Sequence, residues 1–498
     1  MSRRMLPFLL ALFSTLPLRA QVALVRQELQ APGRVNHVAS RDLDGDGTAE
    51  LLVITRQGTD ENPIRRLLYW TPGADGFKPQ PTQSLDLPAD AVIVDACDVG
   101  LGPGMEILLL TDQGLSAFVR SAPGPYPSTP QAVLPLPATL PFPDEEDAPF
   151  YDMCHTPKGG SGVELWVPGG RGVSVVRPAE SGLAVQEQLI MRPKAYHLSG
   201  DEFRGPRARR DFAVLTTLVM PKLVSLDADK DGDDDLYALV EDTVSLYVRE
   251  GGKLSTEPVV RRNFNLRNAT DRAKRNAVMD VMLGDISGDG LPDAVVTKLA
   301  GGMTSLKTET RLYLGTGKTG FEEKPVGTRR ADGYATPLAI LDLEGDGKLE
   351  VLEPQVGTAP MTVAGMLIKQ RVDVDVRVLR SHGRDFYEGK DMTVSFSLDT
   401  SGAGGVKGSL PLLGQDVDGD GLKDIISLGT GHKVELLRGI KSDPPFEEDE
   451  SWSGSVPSTL RAEWYVPRPG SPASVVVFFP TKGNTGTMVV FFNLKGAK

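Results

Sequence analysis

The chain has 498 residues, 54 glycines, 38 prolines, two cysteines and a formal charge of −12. That length exceeds one ordinary hydrophobic core, so several domains or a repeat array are expected. The glycine and proline content fits a turn-rich β protein better than a helical one, and no long amphipathic helical pattern is present. The acidic balance argues against nucleic acid as partner, because phosphate-backbone affinity rests on lysine and arginine.

In chain order, "MSRRMLPFLLALFSTLPLRA" comes first, with Arg3 and Arg4, an apolar run from Leu6 to Leu18, and Ala20 before Gln21. Residues 1–20 read as a cleavable secretory signal. The run is shorter than the ~20 residues that a span needs, and no later stretch could cross a bilayer. The mature chain is therefore expected to be secreted or periplasmic, without integral membrane association. Loss of Arg3, Arg4 and Arg19 takes its charge from −12 to −15.

A spare strand, "VALVRQEL", precedes the first of several related units. Acidic loops start at 42, 227, 285, 342 and 416, the middle three separated by 58 and 57 residues. Two degenerate copies fill the long gap: "VIVDACDVGLGPGMEILLL" with Asp95 in the first loop position, and "FYDMCHTPKGGSGVELWV" with Asp152 there. In each unit a short apolar strand precedes the loop, and a nearly continuous apolar run such as "ELLVI" or "DIISL" follows. A third strand ("RLLYW", "VSLYV", "VELLR") and a more polar fourth complete it. Inner strands buried on both faces and outer strands buried on one give this alternation. Four-stranded units repeated radially make a β-propeller.

At the C-terminus "STLRAEWYVP", "ASVVVFFPT" and "GTMVVFFNL" supply three strands, and the N-terminal strand would be their fourth, closing the ring and removing its free edges. The expected fold is all-β: one propeller over 21–498, with eight blades at roughly 34–88, 89–141, 148–220, 221–275, 276–334, 335–408, 409–457, and 458–498 plus 22–31. The alternative is seven blades and a C-terminal β-hairpin. Two long stretches, 178–220 and 357–409, are expected to project as loops or outer hairpins, where binding tends to reside.

The loop chemistry points to calcium, which takes six to eight oxygens at about 2.3–2.6 Å. Acids at positions 1, 3 and 5 can face one centre, a glycine at position 6 permits the reversal, position 7 offers its carbonyl, and position 9 closes the shell. The first loop gives Asp42, Asp44, Asp46, Thr48 and Glu50. The fourth unit gives Asp227, Asp229, Asp231, Asp233 and Asp235, and the fifth Asp285, Ser287, Asp289, Leu291 and Asp293. The sixth gives Asp342, Glu344, Asp346, Lys348 and Glu350, and the seventh Asp416, Asp418, Asp420, Leu422 and Asp424. An EF-hand would need a bidentate Glu at position 12 between helices; here that position is Val53, Ala238, Val296, Glu353 or Ser427, followed by β-type runs. Solvated Asp-Gly turns are the alternative, but five such loops in register gather carboxylates that repel without cations. About five Ca²⁺ sites are expected, and five ions would take the mature charge from −15 to −5.

The Asp-x-Asp-x-Asp-Gly-x-x-Asp loops resemble the FG-GAP/VCBS repeats of integrin α-chain propellers and of many exported bacterial proteins, and the resemblance covers nearly all of the mature chain. It implies a propeller with Ca²⁺ in the loops joining first and second strands. The Phe-Gly and Gly-Ala-Pro signatures of integrins are poorly kept, so an integrin-like ligand site does not follow. The expected role is a non-catalytic binding or adhesion scaffold for a protein or carbohydrate. The five histidines, His37, His155, His197, His382 and His432, form no zinc-type spacing. The alternative, by resemblance to propeller-type polysaccharide lyases, is a calcium-dependent enzyme using a basic residue from Arg204, Arg207, Arg209 and Arg210 or from Arg261 and Arg262. Cys97 lies two residues after Asp95 and Cys154 two after Asp152. Both would occupy loop position 3 of adjacent units, close enough for a disulfide in an exported chain; the alternative is two buried thiols.

Overall fold

The computed structural model describes residues 24–493 other than 59–62, 140–149, 161, 192–193, 199–214, 269–270, 272–276, 303–304, 359, 370, 383–384, 389–391, 398–410, 430–431, 458–460 and 479–485. The chain is an all-β propeller of eight antiparallel blades. Blade 1 runs Arg34–Arg41, Glu50–Gly58, Pro63–Trp70, Gln83–Asp86, and blade 2 runs Ile93–Cys97, Glu106–Leu110, Leu115–Phe118, Gln131–Leu134. Blade 3 is Cys154–His155, Glu164–Gly169, Gly172–Ala179, Gly182–Ile190; blade 4 is Lys222–Leu226, Asp235–Val240, Thr243–Tyr247, Val260–Asn263. Blade 5 is Ala277–Gly284, Asp293–Ala300, Lys307–Tyr313, Gly327–Asp332, and blade 6 begins Ala339–Leu341, Glu350–Gln355, Arg371–His382, Asp385–Glu388. Blade 7 is Leu412–Gln415, Asp424–Gly429, Lys433–Leu437, Trp452–Ser455.

Blade 8 joins the two ends of the chain. Arg461–Tyr465, Ser474–Phe478 and Thr487–Asn493 pair in order, and Leu24–Gln30 adds the fourth strand, from Leu24 opposite Asn493 to Gln30 opposite Thr487. This excludes the seven-bladed alternative. First strands of neighbouring blades adjoin between blades 2 and 3, 5 and 6, 6 and 7, 7 and 8, and 8 and 1.

Apolar runs become second strands because both faces of those strands are covered: Leu51, Leu52, Val53 and Ile54 are all fully buried. Fourth strands alternate, as in Gly327–Asp332, where every second residue is exposed. The cores lie between blades rather than inside them. Val53, Leu68 and Trp70 of blade 1 pack with Tyr465, Val476 and Phe492 of blade 8, and Leu29 from the N-terminal strand is buried among them. Each such side chain contributes about 1.5–3 kcal/mol by leaving water, so the seam is held by apolar contact as well as by strand pairing.

The long stretch after 357, expected as a loop or outer hairpin, does pair its strands outward but holds a helix as well. The helix is the ten-residue Pro360–Lys369, and blade 6 gains a fifth strand, Met392–Ser397, paired with its long third strand. The helix is apolar on most sides, with Ile368 exposed, so no amphipathic period announced it. In the other long stretch Lys194–Leu198 pairs with Leu215–Val219. The basic cluster Arg204, Arg207, Arg209 and Arg210 and the signal 1–20 lie outside the described residues. No helix among the described residues is long and apolar enough to cross a membrane.

Candidate metal centres

Sheet register defines each loop. The residue before the loop pairs with its ninth residue: Arg41 with Glu50, Leu226 with Asp235, Gly284 with Asp293, Leu341 with Glu350, and Gln415 with Asp424. The ninth carboxylate turns back to accept the N–H of the second loop residue. Those distances are 2.8 Å for Leu43 to Glu50, 3.0 Å for Ala228 to Asp235 and for Ile286 to Asp293, 2.9 Å for Leu343 to Glu350 and 2.6 Å for Val417 to Asp424. Where the ninth residue is aspartate, its second oxygen accepts an N–H from just beyond the third strand: Arg249 to Asp235 at 2.6 Å, Gly315 to Asp293 at 2.9 Å, Gly439 to Asp424 at 2.8 Å.

The other acids shape the loop in the same way. Asp42 accepts N–H bonds from Gly45 and Gly47 at 2.9 and 2.8 Å, Asp44 accepts one from Asp46 at 3.2 Å, and Asp46 one from Thr48 at 2.7 Å. Asp227, Asp229 and Asp231 repeat this, the last two taking the N–H groups of Asp231 and Asp233. So do Asp416, Asp418 and Asp420, the last two taking those of Asp420 and Leu422. In blades 5 and 6, Asp285 and Asp342 each take two N–H groups, while Asp289 and Asp346 take those of Leu291 and Lys348. The position-6 glycines have φ between +84° and +94°, a region disfavoured for other residues: Gly47 85°, Gly232 94°, Gly290 84°, Gly347 85°, Gly421 90°.

Carboxylate oxygens at positions 1, 3 and 9 converge in three loops. Those of Asp42, Asp44 and Glu50 lie within 4.8 Å of one another, as do those of Asp227, Asp229 and Asp235, and those of Asp416, Asp418 and Asp424. Blade 5 has Ser287 at position 3, and in blade 6 Glu344 is turned toward Arg380, 2.6 Å away. Burial, and then the neighbouring acids, push Glu50, Glu350 and Asp424 up to about 7. Asp235 and Asp293 are raised as well, chiefly by burial. This all-oxygen, mutually repelling donor set suits a hard divalent cation, which would relieve the repulsion.

Basic side chains meet some loops. Lys318 of blade 5 lies 2.7 Å from Asp229, and Arg438 pairs with Asp418 and, at 3.3 Å, with Asp420. Among the described residues Asp42, Asp44 and Glu50 pair with no basic side chain. Consecutive loops are also tied together. The position-8 N–H of Ala49 donates to Pro467 of the blade 8 loop at 2.7 Å, Met105 to Leu43 at 2.9 Å, Asp234 to Lys158 at 2.9 Å, and Ala473 to Asp416 at 2.8 Å. Bonds of this kind tie the loops of blades 7, 8, 1 and 2 in series and those of blades 3 and 4 to each other.

The register corrects the reading of the degenerate copies. Cys97 pairs with Glu106 and His155 with Glu164, so position 1 is Asp98 in blade 2 and Thr156 in blade 3, not Asp95 or Asp152. The cysteines are not at position 3. Cys97 ends one first strand, Cys154 begins the next, and they are joined by a disulfide with Cα atoms 5.6 Å apart. Asp95 is a buried strand residue that accepts the N–H groups of Met153 and Cys154 at 2.7 and 3.0 Å and faces Arg41 at 3.3 Å, stitching blade 2 to blade 3.

The blade 2 loop keeps the staple, Val99 N–H to Glu106 at 2.9 Å. In blade 3, position 2 is Pro157, which has no N–H to give. There Glu164 is gripped instead by Arg249 at 2.7 Å, by Arg177 at 2.7 Å and by the Trp166 indole at 3.0 Å.

Two other candidates sit elsewhere. Arg262 donates to the Glu323 carbonyl at 2.8 Å and lies over Phe264, while Arg261 lines a separate cavity of about 320 Å³ with Glu241 and Asp242. His155 stacks on Trp166 with ring centroids 3.7 Å apart, and burial lowers its pKa. The side chains of His197 and His382 lie outside the described residues.

No family model matches the chain, and no curated protein matches it. Solved structures match at low identity. A lectin of Agrocybe aegerita, described by its recognition of non-reducing terminal N-acetylglucosamine, is 12% identical, with 74% of this chain and 80% of its own covered and a TM-score of 0.33. The WD40 domain of SCAP from fission yeast is 10% identical, with 95% and 88% covered and a TM-score of 0.34. Neither likeness assigns a ligand to this chain.

Proposed function

We propose that the chain is an exported, calcium-binding propeller of the FG-GAP/VCBS kind that presents a binding surface to a protein or carbohydrate. The observation that carries this is the convergence of three carboxylates at positions 1, 3 and 9 of loops already curled by their own backbone hydrogen bonds. Asp42, Asp44, Asp46 and Glu50 would hold one ion, and Asp227, Asp229, Asp231 and Asp235 another. Bound calcium supplies charge neutralisation and fixes the loop; because the blade 1 loop is bonded to those of blades 8 and 2, and the blade 4 loop to that of blade 3, that stiffness is shared with the neighbouring blades. A cleft of about 940 Å³ opens among the loops of blades 5, 6 and 7, with Asp285, Ser287, Glu344, Lys348, Arg380 and Lys441 on its walls. Its mixed charge and hydroxyl groups suit a polar ligand. The Cys97–Cys154 bond supports export, since such bonds persist in oxidising compartments.

Chelation tests the calcium reading. A ligand bound only by the native state adds about 2.7 kcal/mol at a hundredfold excess over Kd, so chelator should lower the melting temperature by several degrees and restored Ca²⁺ should recover it. Protein that holds no metal and melts alike with and without chelator would overturn the reading. A glycan array and a crosslinking screen of the calcium-loaded protein then distinguish carbohydrate from protein ligands.

A further inference from the structure

The acidic loops are not equivalent, and the difference lies on the third strands. Opposite the first residue after each acidic loop stand Trp70, Tyr247, Tyr313, Leu379 and Leu437 in blades 1, 4, 5, 6 and 7. The next residue is Thr71, Val248 or Leu314 in the first three of these blades, but Arg380 and Arg438 in the last two. Both arginines reach the position-3 acid of their own loop. Arg380 holds Glu344 through Nη2 at 2.6 Å and Nε at 3.1 Å, and Arg438 pairs with Asp418 while its Nη2 lies 3.3 Å from Asp420.

Resting on the calcium reading above, we propose that Arg380 and Arg438 are built-in counter-cations that take the place of calcium in blades 6 and 7, so that metal uptake is confined to loops lacking an arginine there, led by blades 1 and 4. A guanidinium fork satisfies carboxylate oxygens that calcium would need, and its positive charge repels an ion placed beside it. The two arginine side chains are only 12% and 15% exposed, so they are fixed parts of the wall. Lys318, which approaches Asp229 from the neighbouring blade, is 48% exposed on a flexible stem and yields readily to a divalent ion. Blade 3 shows the replacement complete. Arg177 stands at the same register position as Arg380 and binds Glu164 at 2.7 Å, while positions 1 and 3 of that loop are Thr156 and Lys158.

Calcium counting on the full mature chain tests this, by calorimetric titration after chelation together with equilibrium dialysis. Asp44→Asn and Asp229→Asn should each remove one calcium from the total, whereas Glu344→Gln and Asp418→Asn should remove none. Arg380→Gln and Arg438→Gln should each add one. Should an arginine variant fail to fold, the Asp418→Asn count alone decides blade 7. Loss of a calcium in Asp418→Asn or Glu344→Gln, or no gain in a folded arginine variant, overturns the proposal and leaves the calcium reading standing. No calcium uptake by the unsubstituted chain overturns both.

Discussion

The amide of Val99 donates to the carboxylate of Glu106 at 2.9 Å, the same contact that Leu43 makes with Glu50 at 2.8 Å, although the Val99 loop has glycine at positions 3 and 5. The ninth acid is thus a staple for its own loop before it is a ligand for anything else. Glu106 is 1% exposed, so its removal strands a buried N–H. Glu106→Ala should cost about 1–3 kcal/mol, with or without calcium, while Glu106→Gln, whose amide oxygen can still accept, should cost less. Urea melts of both variants check this; equal losses would show that the staple is dispensable.

Glu50, Glu350 and Asp424 give the metal-free protein a signed pH dependence. Their pKa values in the folded state are raised to about 7 from the ordinary values of 4.5, 4.5 and 3.8. An acid with a raised folded pKa favours the fold while protonated, so its contribution is complete below about pH 4 and is lost as pH rises through 7. Chelated protein should therefore melt lower at pH 8 than at pH 5.5 as far as these groups decide it. Calcium should shrink that difference, because it holds Glu50 ionised in a compensated site. Melting curves at both pH values, with chelator and with calcium, make the comparison; a calcium-loaded protein with an undiminished fall would remove Glu50 from the metal shell.

The repeat was legible because its acids and its second strands recur together, and the ring closure because "VALVRQEL" was one strand too many at one end and blade 8 one too few at the other. The register of blades 2 and 3 was not legible from aspartates. Asp95 and Asp152 lie near the right place but belong to the strand and the preceding segment, and aligning on them shifted Cys97 and Cys154 onto loop positions they do not hold. The better anchor was the acid just before each apolar run, Glu50 in "AELLV", Glu106 in "MEILL" and Glu164 in "VELWV", since that acid is the strand's first residue in all three and the loop's staple in the first two. The arginines Arg380 and Arg438 were hidden for a different reason. They act from the end of the third strand, 36 residues from Glu344 and 20 from Asp418 in sequence, and only the register brings them to the loop.

Ring closure makes a third prediction. Leu29 is fully buried in the seam between blades 8 and 1. Leu29→Ala should cost about 2–5 kcal/mol as a large-to-small core change. Deletion of Leu24–Gln30 should cost more, because it also uncovers the edge of Thr487–Asn493, and should bring aggregation. Thermal melts with light scattering give both readouts; a deletion variant that melts like the full chain would show the N-terminal strand to be an ornament.

The disulfide closes a loop with a sequence separation of 57 residues, for which chain-entropy arguments give roughly 4 kcal/mol. Cys97→Ser should lower stability by up to that amount at any calcium concentration. Non-reducing peptide mapping of protein from an oxidising compartment should find residues 97 and 154 on one linked peptide pair; free alkylatable thiols at both positions would reject the bond.

The last prediction concerns the junction of blades 3 and 4, where Glu164, Glu187, Arg177 and Arg249 form a buried group of two acids and two arginines. Pro157 denies Glu164 the backbone donor that the other ninth acids use, and Arg249 supplies the replacement from the adjoining blade. Arg249→Met leaves the group one positive charge short in a place water does not reach, which should cost about 3–5 kcal/mol. Calcium should not rescue it, because Thr156 and Lys158 stand where an ion would need acids. Glu164→Gln in the same chain removes the surplus negative charge, so the double variant should recover much of the loss. The expected coupling energy exceeds 1 kcal/mol, within the range seen for residues in one ionic network. A double-mutant cycle by urea unfolding measures it, and additive single effects would mean that Arg249 stabilises the junction by packing alone.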